Sequence, residues 1–217
     1  MEGHTAGRYS GTHFRYPVVY GPRQVSHEVW GLMQRFTDKR PYIVLPEGGL
    51  TLTTHGYSEN VAHAVLLAAQ QPEAAAGQIY NCADERQFTL AQWVELIGEA
   101  MGGTIEIVSV PDRYAYPARS LMMFYGPADH QMFDLHKVKA ELGYRDPIDP
   151  AEALRRTVRW YRDNPPDVPA QFATDLAENY RMEDDIVPIY RDACARWDAI
   201  DHVARDYHHS YPHPKKP

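Results

Sequence analysis

Apolar residues fall at Val25, Val29, Leu32, Met33 and Phe36, the spacing of one helix face, with Pro41 beyond them as a stop. A second helix is predicted over "ENVAHAVLLAAQQ", with Ser58 as cap and Val61, Ala64, Val65 and Ala68 on its inner side. The stripe Leu90, Trp93, Val94, Ile97 and Met101 predicts a third, capped by Thr89 and stopped by Gly102-Gly103. Asp134 is expected to cap a short helix closed by Gly143. Asp149-Pro150-Ala151-Glu152 is a helix start, with a buried face of Leu154, Thr157, Val158 and Tyr161. Residues 170 to 207 read as one or two amphipathic helices broken at Pro188.

Between these stretches the pattern changes to strands. "THFRY" is β-rich and ends at Pro17, "YIVLP" is short and apolar, and "LTLTTHGY" alternates and reads as another strand. "GQIYNCAD" and "TIEIVSVP" complete a set of four or five. Strands alternating with helices make the class α/β, and the pattern looks like part of a larger layered fold. "YGPRQ" is a loop broken at Gly21-Pro22, and residues 112 to 133 are irregular and rich in Tyr, Pro and Met.

Composition narrows the partners. The 217 residues carry a net charge of −7 and include 15 Tyr and 4 Trp. No basic stripe is present, which argues against nucleic acid. No apolar run reaches the ~18 residues of a membrane span, and "MEGHTAGRYSGTH" has no apolar signal core. Cys82 and Cys194 make no disulfide framework and suit reduced thiols, so a cytoplasmic location is expected.

Four segments in order carry a likeness: "HFRYPVVYGPRQ", "LPEGGLTLTTHGYSENVAHAVLLA", "GQIYNCADERQFTLAQWVELIGEAMG" and "FDLHKVKAELGYRDP". Over residues 9 to 165 the chain resembles the C-terminal half of an extended short-chain dehydrogenase/reductase, the NAD-dependent epimerase/dehydratase family. The resemblance implies a truncated Rossmann-like half with its substrate-binding domain over residues 1–165. A helical extension over 166–207 and a polar His/Pro tail over 208–217 follow. In the family a glycine-rich loop holds the dinucleotide. A Tyr-x-x-x-Lys pair ahead of the "RYPVVYGP" equivalent passes a proton. No GxxGxxG occurs here, and no Tyr-x-x-x-Lys pair stands ahead of Arg15. The expectation is therefore that no NAD(P) is bound tightly by this chain alone, and that NAD(P) binds only with a partner chain.

The resemblance places Pro17, Val18 and Val19 against the nicotinamide, and Tyr20 to Gln24 in the substrate cleft. His55 lies where that cleft opens, with Tyr57 and Tyr20 close by. Imidazole suits acid/base work near neutral pH, and a structural histidine at a strand end is the plainer alternative. These three form the candidate catalytic group. Arg15 either grips an anionic substrate with its planar fork or satisfies carbonyls. Glu59 and Asn60 suit a first helical turn. Tyr114, Tyr116 and Met122 belong to a segment that either walls an apolar ligand or packs over the core. Val18, Val19 and Gln24 complete the candidate substrate-binding set. His202, His208, His209 and His213 crowd the C-terminus beside prolines and suit a loose tail, so no metal site is expected.

Three functions fit these residues. One is an enzyme or binding protein for a small aromatic or apolar molecule. Another is a subunit of a split oxidoreductase whose partner supplies the cofactor domain, and the last a non-catalytic binding module. An apolar stripe of Leu176, Tyr180, Ile186, Ile189, Tyr190, Cys194 and Trp197 suits cover of an open sheet, so a homodimer or partner chain is expected.

Overall fold

The computed structural model describes residues 2–7, 9–122, 125–201, 203 and 210. Its elements run α1 (Glu2–Thr5), β1 (His13–Arg15), β2 (Val18–Tyr20), α2 (Glu28–Thr37), β3 (Tyr42–Pro46), β4 (His55–Tyr57), α3 (Ser58–Gln70), α4 (Pro72–Ala75), β5 (Ile79–Asn81), α5 (Leu90–Met101), β6 (Glu106–Val110), α6 (His136–Leu142), α7 (Pro150–Asp163) and α8 (Ala170–Asp198). All strand pairing is parallel: β1 with β5, β2 with β4 and β3 with β6. The registers set Arg15 beside Asn81, Val18 beside His55, and Tyr20 beside Tyr57. After β5 the chain crosses from one ladder to the next, as Cys82 N–H donates to the Arg15 carbonyl and Asp84 N–H to that of His55. This mixed helix and parallel-strand architecture is the α/β class expected from the sequence.

Local signals fix two helices closely. Thr89 Oγ1 accepts from Gln92 N–H while Gln92 Oε1 accepts from Thr89 N–H, a complete capping box at the start of α5. Gly102 ends that helix at φ 74°, where a side chain would be strained. Asp149 accepts from Ala151 and Glu152 N–H at the start of α7, with Pro150 in the first turn. The apolar faces Trp93, Val94 and Ile97 of α5 and Leu154, Val158 and Tyr161 of α7 then enter one core with β3 and α2. A second core joins α3, β5 and α6 through Ala64, Tyr80, Cys82 and Val138.

Several expectations are corrected. Helix α2 begins at Glu28, so Val25 lies outside it and is 94% exposed. Ser58 is the first residue of α3 and caps nothing; Tyr57 precedes it with no side-chain cap bond. Asp134 sits one residue ahead of the α6 cap position, yet its Oδ1 accepts from His136 N–H at 2.8 Å. Only His55–Tyr57 of "LTLTTHGY" pairs as a strand. The preceding residues bond to remote loops, with Leu52 N–H on His130 Nδ1 and Thr54 N–H on the Gln131 carbonyl.

Residues 170–198 form a single helix that continues through Pro188. Its anchors are Glu183 and Val187, while Ile189 and Trp197 of the expected covering stripe are exposed. Glu183 holds α8 to the body: Arg35 Nη1 donates to its two oxygens at 2.7 and 2.8 Å, and Val44 N–H to Oε1 at 3.2 Å. Arg40 and Asp184 continue the contact at the surface. No described helix is long and apolar enough to cross a membrane.

Candidate functional site

The ends of β2 and β4, the start of α2, residues 120–122 and the first turns of α8 converge on two cavities. An inner slot of about 30 Å³ is walled by Tyr20, Gln24, Glu28, His55, Phe88 and Trp93, among others. An outer cleft of about 400 Å³ is walled by Val18, His27, Glu28, Met122 and Phe172 in part. Glu28, Thr53, His55 and Leu121 line both. Phe172, Asp175, Leu176 and Asn179 reach the outer cleft from α8 at i, i+3, i+4 and i+7, one face of the helix.

His55 owes its position to β4. Its backbone N–H donates to Gln87 Oε1 at 3.0 Å, and its Nδ1 lies 2.7 Å from the Thr53 carbonyl. A carbonyl only accepts, so Nδ1 carries the proton and Nε2 is left as the acceptor. The ring packs 4.4 Å from that of Trp93 and 6.3 Å from that of Tyr20. Burial lowers its pKa to about 4, against the opposing bond to Thr53, so it is neutral at pH 7. Glu28 shifts the other way. Burial raises its pKa to about 7, and among the described residues it has no hydrogen bond or ion pair. A carboxyl group raised toward neutrality thus lines the same two cavities as a neutral imidazole.

Tyr20 and Tyr57 contribute walls and supports instead. The Tyr20 hydroxyl reaches Asp84 Oδ2 at 2.9 Å and the Pro150 carbonyl at 3.2 Å. Asp84 Oδ1 also accepts from Tyr57 N–H and Asn60 Nδ2, each at 2.9 Å. This network fixes the ends of β2 and β4 together. Burial first, then Asp84, pushes the Tyr20 phenol far above its ordinary range, so it stays protonated. Tyr57 is buried behind Tyr20, outside both cavity walls, and its hydroxyl donates to Glu59 Oε1 at 2.9 Å.

The other expected residues separate. Val18, Gln24 and Met122 line the cavities. Val19 packs on the second core, and Arg15 is exposed on β1 away from both cavities. Tyr114 and Tyr116 are exposed, and neither stands in a cavity wall. The sequence reading passed over Glu28, His27, Trp93 and Phe172 as site residues. An acid in the first turn of a helix and a tryptophan on an apolar stripe look ordinary until α8 and residues 120–122 close over them.

Among the described residues no group of three or more His, Cys, Asp or Glu is placed to hold a metal. His202, His208, His209 and His213 lie outside the described residues, as do Tyr211 and Lys215, which do have Tyr-x-x-x-Lys spacing. No described strand leads through a glycine-rich turn into a helix N-terminus, the geometry that holds a pyrophosphate. The glycine-rich turn after β3, Glu47–Gly49, leads toward β4.

The fold is similar to part of the Rossmann-like short-chain dehydrogenase/reductase epimerases and dehydratases. Residues 3–83 match the family model described as NAD dependent epimerase/dehydratase, which establishes the resemblance over that stretch. An epimerase from Methanothermobacter thermautotrophicus superposes with a TM-score of 0.60 at 16% identity, covering 75% of this chain and 46% of that one. A UDP-glucose 4-epimerase from Thermotoga maritima, solved with UDP-glucose, gives 0.54 at 26% identity over 69% of this chain and 45% of its own. Among curated proteins, the uncharacterized protein y4nL of Sinorhizobium fredii (strain NBRC 101917 / NGR234) is 28% identical over 166 residues, 67% of this chain and 46% of that protein. YbjS of Escherichia coli (strain K12), also uncharacterized, is 29% identical over 144 residues, 56% and 42% respectively. The chain thus spans under half the length of these relatives.

Proposed function

We propose that this chain binds a small molecule with an apolar body in the cleft between β2, β4, α2 and α8, and that Glu28 moves a proton on it. The observation that carries this reading is the placement of Glu28 and His55 in the shared wall of both cavities. Glu28 takes or gives the proton, since its pKa of about 7 leaves both forms populated. His55, neutral and held by Thr53, offers Nε2 as a fixed acceptor for a donor on the ligand. Val18, Gln24 and Met122 position the molecule. The proposal keeps NAD(P) out of tight binding by this chain alone, the expectation that the lack of a GxxGxxG in the sequence carries.

The test is a nuclear magnetic resonance titration of the full chain with 2-phenylethanol. Saturable shifts at the Trp93 indole N–H and His55 ring signals are expected. Shifts confined to surface residues, or none up to the solubility limit, would remove the site.

A further inference from the structure

The geometry points to an amine-bearing ligand: we infer that this cleft selects an apolar molecule carrying a protonated amine over the same molecule carrying a neutral or anionic group. The inference rests on the binding site proposed above and assigns its substrate class.

The charges around the cleft carry the argument. Glu28 lines both cavities without a partner among the described residues, and Asp175 stands at the exposed rim of the outer one. Asp175 meets Gln171 Nε2 at 2.6 Å but forms no ion pair among the described residues. The cation in the wall, Arg35, is 3% exposed and already spent on both oxygens of Glu183. His55 is neutral, with its one ring proton held toward Thr53. Among the described residues the lining therefore presents two acids and no free cation to a ligand. A phosphate or carboxylate entering here meets like charge in a partly desolvated space, where Coulomb repulsion is stronger than in water.

Of the polar atoms in these walls without a partner among the described residues, the acceptor Gln24 Oε1 points the same way, while the Trp93 N–H is a donor that an ammonium does not satisfy. Trp93 is 6% exposed and its indole N–H has no partner among the described residues, although its neighbours in the inner slot are mostly aromatic and aliphatic. Gln24 donates through Nε2 to Ser26 Oγ, leaving its Oε1 buried and unpaired in the wall of the same slot. His27 Nδ1, in the outer cleft, has no partner among the described residues. Buried polar atoms normally find partners, so a set gathered around one cavity marks a place where a ligand supplies them. The slot of about 30 Å³ admits a group the size of water or ammonium. An ammonium there gives three donors, which the Glu28 carboxylate and Gln24 Oε1 accept, in a slot that Trp93 and Tyr20 also line. The apolar body occupies the outer cleft against Leu121, Met122, Phe172 and Leu176.

The test compares three probes with one ring and three head groups: 2-phenylethylamine, 2-phenylethanol and phenylacetate. Each is titrated into the full chain, and Kd is read from the Trp93 and His55 signals. The amine is expected to bind at least tenfold tighter than the alcohol, and phenylacetate weakest. Glu28→Gln should reduce the amine to the affinity of the alcohol. Asp175→Asn, at the exposed rim, should narrow the preference by a smaller factor. Equal binding of amine and alcohol, or tighter binding of phenylacetate, overturns the charge selection and leaves the binding site standing. Failure of all three probes overturns both.

Discussion

Arg35 and Glu183 form an ion pair across 148 residues of sequence, with side chains 4% and 0% exposed and a closest approach of 2.7 Å. The pair joins α2 to α8, and both helices supply walls of the outer cleft. Glu183 has a further donor in Val44 N–H, so its charge is met from two elements. Removing one partner strands the other in the core. Glu183→Ala should cost about 3–5 kcal/mol in urea unfolding. The double variant Arg35→Leu/Glu183→Leu should recover most of that loss, because no charge is then left unpaired. A single variant within ~0.5 kcal/mol of wild type would show that α8 is held by its apolar contacts alone.

The Tyr20 hydroxyl is a support for Asp84, so its removal should affect stability before binding. Tyr20→Phe keeps the ring 5.0 Å from Trp93 but takes from buried Asp84 one of its three donors. The expected cost is about 1–3 kcal/mol in thermal or urea unfolding, the range for a buried group left short of a partner. Affinity for 2-phenylethylamine should change less than threefold. A large loss of affinity with unchanged stability would move the hydroxyl from the support network into the site.

These two networks mark what the sequence showed and what it hid. Helices α5 and α7 were legible because Thr89, Gln92 and Gly102, and Asp149 and Pro150, act within a few residues of one another. The alternation in "LTLTTHGY" pointed to a long strand, but the backbone of Thr51 to Thr54 bonds instead to Leu90, His130 and Gln131, and no local pattern records such partners. Pro188 promised a break in α8. Glu183 and Val187, buried just ahead of it, hold the helix across the missing N–H. Of the candidate site, His55 and Gln24 were legible from the family resemblance. Glu28 was hidden, since its burial depends on residues almost a hundred or more positions away, Leu121 and Phe172 among them.

The shift at Glu28 has a sign that can be measured. Its pKa rises from 4.5 to about 7 on folding because burial disfavours the carboxylate. The folded state therefore holds more protons than the unfolded state between those values, and stability falls as pH rises through that window. Glu28→Gln removes the effect. The variant should match wild type in melting temperature near pH 4 and exceed it increasingly from pH 4.5 to 7. A constant difference across that range would mean that Glu28 ionises as an ordinary surface acid. Saturating 2-phenylethylamine should flatten the wild-type curve by stabilising the ionised form.

His55 should remain neutral well into acid. Burial between Trp93 and Tyr20 lowers its pKa to about 4, and the Thr53 carbonyl, which favours a proton on Nδ1, opposes the shift only in part. A group with a depressed folded pKa and a higher unfolded one holds fewer protons when folded. It therefore contributes stability above the unfolded value of about 6.5, lost as pH falls from there to 4. Histidine ring signals followed against pH should show one residue that does not titrate between pH 8 and 5, and its signal should be missing in His55→Ala. His55→Phe should resist acid between pH 6 and 4 better than wild type, since the ring is kept and nothing is left to protonate. A midpoint above pH 6 for His55 would show that water or a carboxylate reaches the ring. The imidazole would then work as an acid, and the assignment of proton transfer to Glu28 would have to be shared with it.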